Sequence, residues 1–483
     1  MTALVNEYLI LNRSSVFFVN TFKMRLLSTK NIIKIKSKED IPIVKGLPIV
    51  GTIFSILSAG GGRKLHEYID MRHQQYGSVF REKIGPVDAV WISNPLDMKL
   101  LFAQEGKFPK HILPEAWLLY NDTYGQKRGL YFMDGKEWHM YRQILNRIMF
   151  KDLNANVIKS YNIVIDDLLT EWNSYTGQVV PNLIADLYKV SISFMVANLV
   201  GSVYEKCKHH VSEDVNCLAQ SIQKVFQCTV KFTFIPAKTA KLLKLKIWND
   251  FIHAVENSIE YANNLVSKLM KYNSDGLLNS IKNIPDIHND MIKKLIIDFI
   301  IAAGDTSAYS TQWALYTIGL HKNIQNNLRD GLLKTDFLEC DLLINILKEV
   351  LRMYPLAPFL TRITPSDIYL TNHIVPANSL IVMSMFTCSR NEKYFINPNE
   401  FNPYRWNRLK NNKYNSVIEP FATLPYGFGA RSCIGQRMAH TQMCITIAEC
   451  IKRYEIETMN PVKIALDLIT VPDNSVNLKI HKV

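Results

Sequence analysis

"LPYGFGARSCIGQR" (residues 424–437) sets one cysteine in a bed of glycines, with an arginine on either side. Two readings compete for Cys433: a small buried hydrophobe at a tight turn, or a thiolate held open for a metal. The spacing Gly429, Arg431, Cys433, Gly435 reads G-x-R-x-C-x-G. Glycines let backbone approach a flat ligand and turn without steric cost. The residues after Cys433 read as a helix start, whose amides stabilise a sulfur anion. The remaining chain decides between the two.

With 483 residues, 48% of them apolar and 20% charged, the chain is globular and wholesale disorder is excluded. The excess of 56 basic over 43 acidic residues, a net +13, suits nucleic acid, an anionic membrane or an acidic protein. No zinc-finger spacing and no compact basic motif is present, so no nucleic-acid partner is expected. The eight cysteines show no CxxC pair, which favours a reducing compartment. Residues 1–38 carry seven basic residues and one acid, with abundant Ser, Thr and Asn and only short apolar runs. Residues 1–40 therefore read as a mitochondrial transit-like head, with a disordered basic tail as the alternative.

The Pro/Gly hinge "IPIVKGLPIVG" (41–51) marks the start of the main domain. "VFREKIG" and "DAVWIS" around "GPVD" predict a hairpin over 79–93. Helical periodicity follows from about residue 136, with long runs at 246–272 and 288–320. The second run is broken by Asp298, Asp305 and Gln312, which points to a core helix and not a membrane span. Residues 391–433 form a long proline- and asparagine-rich irregular stretch, and 454–482 reads as short strands. One large domain over 41–483, mainly α with small β-sheets, is expected.

The cysteine stretch resembles the haem-binding signature of the cytochrome P450 family, F-x-x-G-x-R-x-C-x-G, with Tyr426 in place of the Phe. In that family, the standard example of thiolate-ligated haem, the cysteine is the axial ligand of the iron. Three further segments agree in order. "KEVLR" holds Glu349 and Arg352 one turn apart, and "FNPYRW" supplies Arg405. The family implies a buried structural triad of these residues supporting the cysteine loop. "GKEWHMYR" puts Trp138 and Arg142 on one helix face. The resemblance implies that they contact a haem propionate, together with Arg362 and Arg431. "AAGDTSAYSTQW" places Gly and Thr inside the long helix, where both are poor formers, and an interruption is expected there. It is similar to the family's acid–alcohol motif, with Asp305 and Thr306 as the catalytic proton-relay pair and Ala303 where Gly is common.

The resemblance implies the cytochrome P450 fold, haem b held by Cys433, and monooxygenase activity that consumes dioxygen. The transit-like head points to the mitochondrial clan of the family. Its electrons come from an adrenodoxin-like ferredoxin served by an NADPH-dependent reductase, and its members sit peripherally on the matrix side of the inner mitochondrial membrane. Lys348 and Arg437 match basic docking positions, whereas Ile344 and Gln436 depart from theirs. "LPEAWLLYN" (113–121), "RGLYFMDGKEW" (128–138) and "AAGDTSAYSTQWALY" (302–316) resemble the insect steroid 2-hydroxylases of ecdysteroid biosynthesis. The expected substrate is thus a steroid, with Trp117, Leu119 and Tyr309 as pocket candidates that also read as core. Two other readings stand beside this one: a mitochondrial-clan enzyme of xenobiotics or another sterol, and a haem-thiolate sensor without turnover.

Overall fold

The alternation expected to pair at 79–93 does so: β1 (Val79–Ile84) and β2 (Val87–Ile92) form an antiparallel hairpin turning at Gly85. The computed structural model describes residues 41–125, 129–149, 155–233, 235–284, 287–410 and 412–483. The transit-like head (1–40) lies outside the described residues. The described chain resolves into two compact units. The first takes residues up to Ile112, Ala357–Glu400 and Arg408–Cys433; the second takes Leu113–Leu356, Phe401–Asn407 and Ile434–Val483. Each unit is assembled from separate stretches of chain, so no linker marks a boundary in the sequence.

In the first unit the hairpin joins a sheet completed by β3 (Phe359–Ile363) and β4 (Leu380–Ser384). The order is β1-β2-β4-β3, with β2 and β4 parallel and the other pairs antiparallel. Phe80 stacks along Trp91, and Trp91 meets Phe359 edge-on, so the aromatic residues of three strands share one packed face. His73, from the helix Leu65–Tyr76, reaches Ser384 Oγ through Nε2 at 2.8 Å and pins that helix to the sheet. Helix α1 (Pro95–Gln104) is opened by Asn94, whose side chain accepts the Leu96 amide at 2.9 Å, and by Pro95 at its first position. It stops where Gly106 takes a positive φ of 76°.

The second unit is helical, with α2 (Gly135–Met149), α3 (Leu183–Val200), α4 (Asn289–Leu320), α5 (Asp341–Met353) and α6 (Gln436–Arg453). Helix α4 runs through its centre against α3, α5 and α6. Its Trp313 is fully buried and stacks on Tyr354 at 4.0 Å. The amphipathic helices Tyr204–Val230 and Lys246–Leu269 pack on each other, the latter ending a few residues before the expected 272. The stretch Leu183–Val230 is long and apolar enough to cross a membrane, but 72% of its apolar window is buried inside the protein, as in a core helix.

One expectation needs correction. Helix α4 is continuous through "AAGDTSAYSTQW" and not interrupted there. The hydroxyls of Thr306, Ser310, Thr311 and Thr317 each donate to the carbonyl four residues earlier, at 2.7–2.9 Å. Their polar atoms are thus satisfied inside the helix, while packing on both sides outweighs the weak propensities.

Candidate active site

Seven of the eight cysteines are buried or partly buried, and Cys433 alone is exposed. Burial pushes the thiol pKa of Cys207 up to about 11 and that of Cys450 up to about 12, which keeps those sulfurs protonated and inert. The loop carrying Cys433 is folded on itself: the Gly427 amide donates to Leu424 O at 2.9 Å, and the Cys433 amide to Tyr426 O at 2.8 Å. Gly427 and Gly429 both take positive φ, +68° and +76°, so two of the glycines are required by the turn itself. Gly435 is different. Its φ is an ordinary −87°, and a Cβ there would meet no atom of the chain within 4 Å.

The same unit supplies Arg362 and Arg431. Arg431 Nε donates to Pro109 O at 3.0 Å. Arg362, on β3, gives Nε to Glu105 at 2.5 Å and Nη2 to Phe428 O at 3.2 Å. Both arginines act on His111. Burial first, then Arg431 and Arg362, lower its pKa to about 4, so the imidazole is neutral. The surroundings of these two residues therefore favour negative charge. Glu105 and His111 were not singled out by sequence reasoning, since nothing local marks "AQEG" or "PKHI" as partners of a strand more than two hundred residues later.

In the helical unit Glu349, Arg352 and Arg405 come together as expected, with at most 1% exposure each. Arg352 forks onto both Glu349 oxygens, Nε to Oε2 at 2.9 Å and Nη2 to Oε1 at 2.8 Å, and Arg405 Nε reaches Oε1 at 2.8 Å. Two further donors complete the carboxylate: Trp406 Nε1 at 2.9 Å and the Asn402 amide at 3.1 Å. Trp406 was missed from sequence. Its neighbour Arg405 was legible only through the family pattern. Tyr404, standing where the family often has Glu, instead receives the Asn327 side-chain amide at 2.9 Å.

Trp138 and Arg142 lie one turn apart on α2 and are both buried, at 1% and 7% exposure. On α4, otherwise largely buried, Ala302 is exposed, and Thr306 and Tyr309 are half-buried, which makes one accessible stripe at helical spacing. Asp305 is turned away from that stripe. It is buried, its Oδ1 accepts from the Tyr188 hydroxyl of α3, and its Oδ2 has no hydrogen-bond partner among the described residues. Burial, with the Asp467 carboxylate second, raises its pKa well above the usual carboxylate value. Trp117 and Leu119 sit in an apolar cluster with Tyr120, Trp248 and Phe251, Trp117 meeting Phe251 edge-on at 5.4 Å. Lys348 is half-buried beside the buried Ile344, and Arg437 is half-buried near the start of α6.

In the first unit the donor set is one that suits a haem: an exposed thiol in a glycine turn and two arginines that make an electropositive corner. In the second unit, Gly435 has open space where a side chain would stand, and a stripe on the central helix is left accessible. Among the described residues no cluster of His, Cys, Asp and Glu offers a metal site of its own.

The comparisons agree. Cytochrome P450 315a1, mitochondrial, of Drosophila melanogaster is 33% identical, over 91% of this chain and 88% of its own. The cholesterol side-chain cleavage enzyme, mitochondrial, of Hypanus americanus is 29% identical over 84% and 83% of the two chains. The sterol 26-hydroxylase, mitochondrial, of Mus musculus is 26% identical over 89% and 87%. Residues 41–479 match the family described as Cytochrome P450. With the matched residues spanning nearly the whole chain, this protein belongs to the cytochrome P450 family of monooxygenases.

Proposed function

We propose that the protein is a mitochondrial steroid hydroxylase that adds the 2-hydroxyl of an ecdysteroid precursor, converting 2-deoxyecdysone to ecdysone, as the insect 2-hydroxylase Shadow does. The observation that carries this reading is the similarity, along most of both chains, to Cytochrome P450 315a1 of Drosophila, alongside relatives named for cholesterol and sterol chemistry. The stretches 113–121 and 302–316 support it. Part of the stretch 128–138 lies outside the described residues.

Haem b would be held by Cys433 as thiolate, by Trp138, Arg142, Arg362 and Arg431 at its carboxylates, and by backbone at Gly429 and Gly435. When bound, it supplies reductive activation of dioxygen and transfer of one oxygen atom to a C–H bond. The chain's own residues do the rest. Thr306 holds its hydroxyl proton on Ala302 O at 2.8 Å, leaving the oxygen lone pairs for water on the accessible stripe. Asp305 is a carboxyl that burial pushes towards its protonated form, and it would supply a proton by swinging from Tyr188 towards Thr306. Tyr309, at the end of the stripe, offers a ring face to an apolar substrate.

An adrenodoxin-like ferredoxin would dock through basic residues including Lys348 and Arg437. Contact with the inner mitochondrial membrane is supported by the helix Ala237–Leu242, where Leu242 and Leu243 are 81% and 62% exposed between Lys238, Lys241 and Lys244.

Turnover by the purified haem protein with ferredoxin and reductase, on a panel of deoxygenated ecdysteroids, tests the reading. The 2-deoxy compound is expected to be consumed with one hydroxyl gained. If foreign apolar compounds perturb the haem band and are oxidised while no ecdysteroid is, the steroid assignment fails.

A further inference from the structure

The positive φ of Gly429 is one reason for a glycine in the cysteine turn, and a second is visible beside it. A Cβ on Gly429 would lie 2.3 Å from Glu105 Oε1 and 3.2 Å from Phe102 Cδ1. The carboxylate occupies the space of the missing side chain. Glu105 is 5% exposed and sits at the C-terminus of α1, where Gly106 ends the helix and sets its direction. Its Oε1 accepts the Ala430 amide at 3.2 Å, and its Oε2 accepts Arg362 Nε at 2.5 Å. Arg362 then donates from Nη2 to Phe428 O at 3.2 Å, and its guanidinium lies over the Phe102 ring at 5.1 Å. One buried ion pair thus holds the residues on both sides of Gly429, a carbonyl before it and an amide after it.

We propose that Glu105 is a positioning residue for the cysteine loop: it clamps the Phe428–Ala430 backbone through Ala430 and Arg362, and it offsets the Arg362 charge beside that loop. The inference rests on Cys433 as the iron ligand. The clamp has a geometric and an electrostatic arm. The geometric arm limits how far the loop, and with it the sulfur, moves from the iron. The electrostatic arm holds one negative charge in a low-dielectric setting near the loop, which favours the oxidised iron over the reduced.

Glu105→Gln keeps the shape and an acceptor for Ala430 but removes the charge. Two readouts follow in the reconstituted haem protein: the iron's reduction potential, and the rate at which the thiolate-type band of its reduced carbon-monoxide complex is lost on mild warming. Glu105→Gln is expected to raise the potential and to lose the band about tenfold faster, since a charged hydrogen bond is replaced by a neutral one. The double variant Glu105→Gln/Arg362→Gln removes both charges, so its potential is expected to return towards wild type while its band stays labile. If the unmatched arginine prevents folding, Glu105→Asp takes the place of the single variant: it keeps the charge but shortens the reach to Ala430, so its potential is expected to stay near wild type while its band is lost faster, and an unchanged band lifetime overturns the clamp. Glu82→Gln serves as the structural control, because Glu82 is equally buried in β1 but bonds Tyr68 at 2.6 Å and no loop residue.

If Glu105→Gln lowers only the melting temperature, as Glu82→Gln does, with potential and band lifetime unchanged, the clamp is merely structural and the proposal is overturned. A wild-type protein that never shows the thiolate band instead defeats the Cys433 assignment, which separates the two failures.

Discussion

The Tyr188 hydroxyl donates to Asp305 Oδ1 in the interior of the helical unit, while the next residue, Thr306, faces the accessible stripe of α4. The acid and the alcohol of the pair thus start in different environments. If Asp305 feeds protons to Thr306, the carboxyl must leave Tyr188 to do so. Asp305→Asn is expected to lower turnover on the order of a hundredfold, as for loss of a general acid. The reduced carbon-monoxide band should be unchanged. Tyr188→Phe removes the competing partner, and product formed per electron consumed should change by severalfold while the haem content stays constant. Unchanged coupling in both variants would remove Asp305 from the relay.

The same carboxyl makes stability depend on pH. Its folded pKa lies well above 3.8, so the folded chain keeps a proton that the unfolded chain has released. Stability contributed by Asp305 is therefore full below the unfolded value and declines as pH rises towards the folded one, by at most about 1.4 kcal/mol per pH unit. His66 and His73 have the opposite sign: burial lowers both from 6.5 to about 4, so stability falls as pH drops through that window. The histidines are common to wild type and Asp305→Asn and cancel in the difference. Denaturant unfolding should show the Asn variant gaining on wild type with rising pH; a pH-independent difference would contradict the raised pKa.

Glu349 accepts five hydrogen bonds, so its loss strands two buried guanidinium groups. Glu349→Ala is expected to cost about 3–5 kcal/mol. Soluble yield and haem retention, followed by absorbance on warming, should fall together. Trp406→Phe should cost less, on the order of 1–3 kcal/mol, because it removes one donor and leaves both ion pairs.

Gly429→Ala meets two obstacles at once, the positive φ of 76° and the Glu105 oxygen. A substantial loss of haem binding is expected. Gly435→Ala has neither obstacle, so its apoprotein should melt as wild type does, and only haem affinity should drop. Differential scanning of apo and haem-loaded proteins distinguishes the two glycines.

Tyr309→Ala tests the steroid reading at the accessible stripe. The Michaelis constant for the deoxyecdysteroid is expected to rise several-fold, about 1–2 kcal/mol of lost apolar contact, with the carbon-monoxide band intact. Trp117→Ala should instead lower the melting temperature, because Trp117 packs against Phe132 and Phe251.

What the sequence determined by itself is local or rests on a spaced pattern. The hairpin at 79–93 follows from alternation, the helices from periodicity, and the cysteine turn from glycines at fixed offsets. Helical spacing puts Glu349 with Arg352, and Trp138 with Arg142, on one face each, but the roles of both pairs were legible only through the family's pattern. The tertiary structure alone decided what depends on partners distant in the chain. It gave Glu349 its Trp406 donor and turned Asp305 onto Tyr188. It set Glu105 into the space left by Gly429, and it kept α4 whole through a segment of poor helix formers. Each of these outcomes is fixed by packing and by the cost of leaving a buried polar group unpaired, and neither leaves a periodic signature in the sequence.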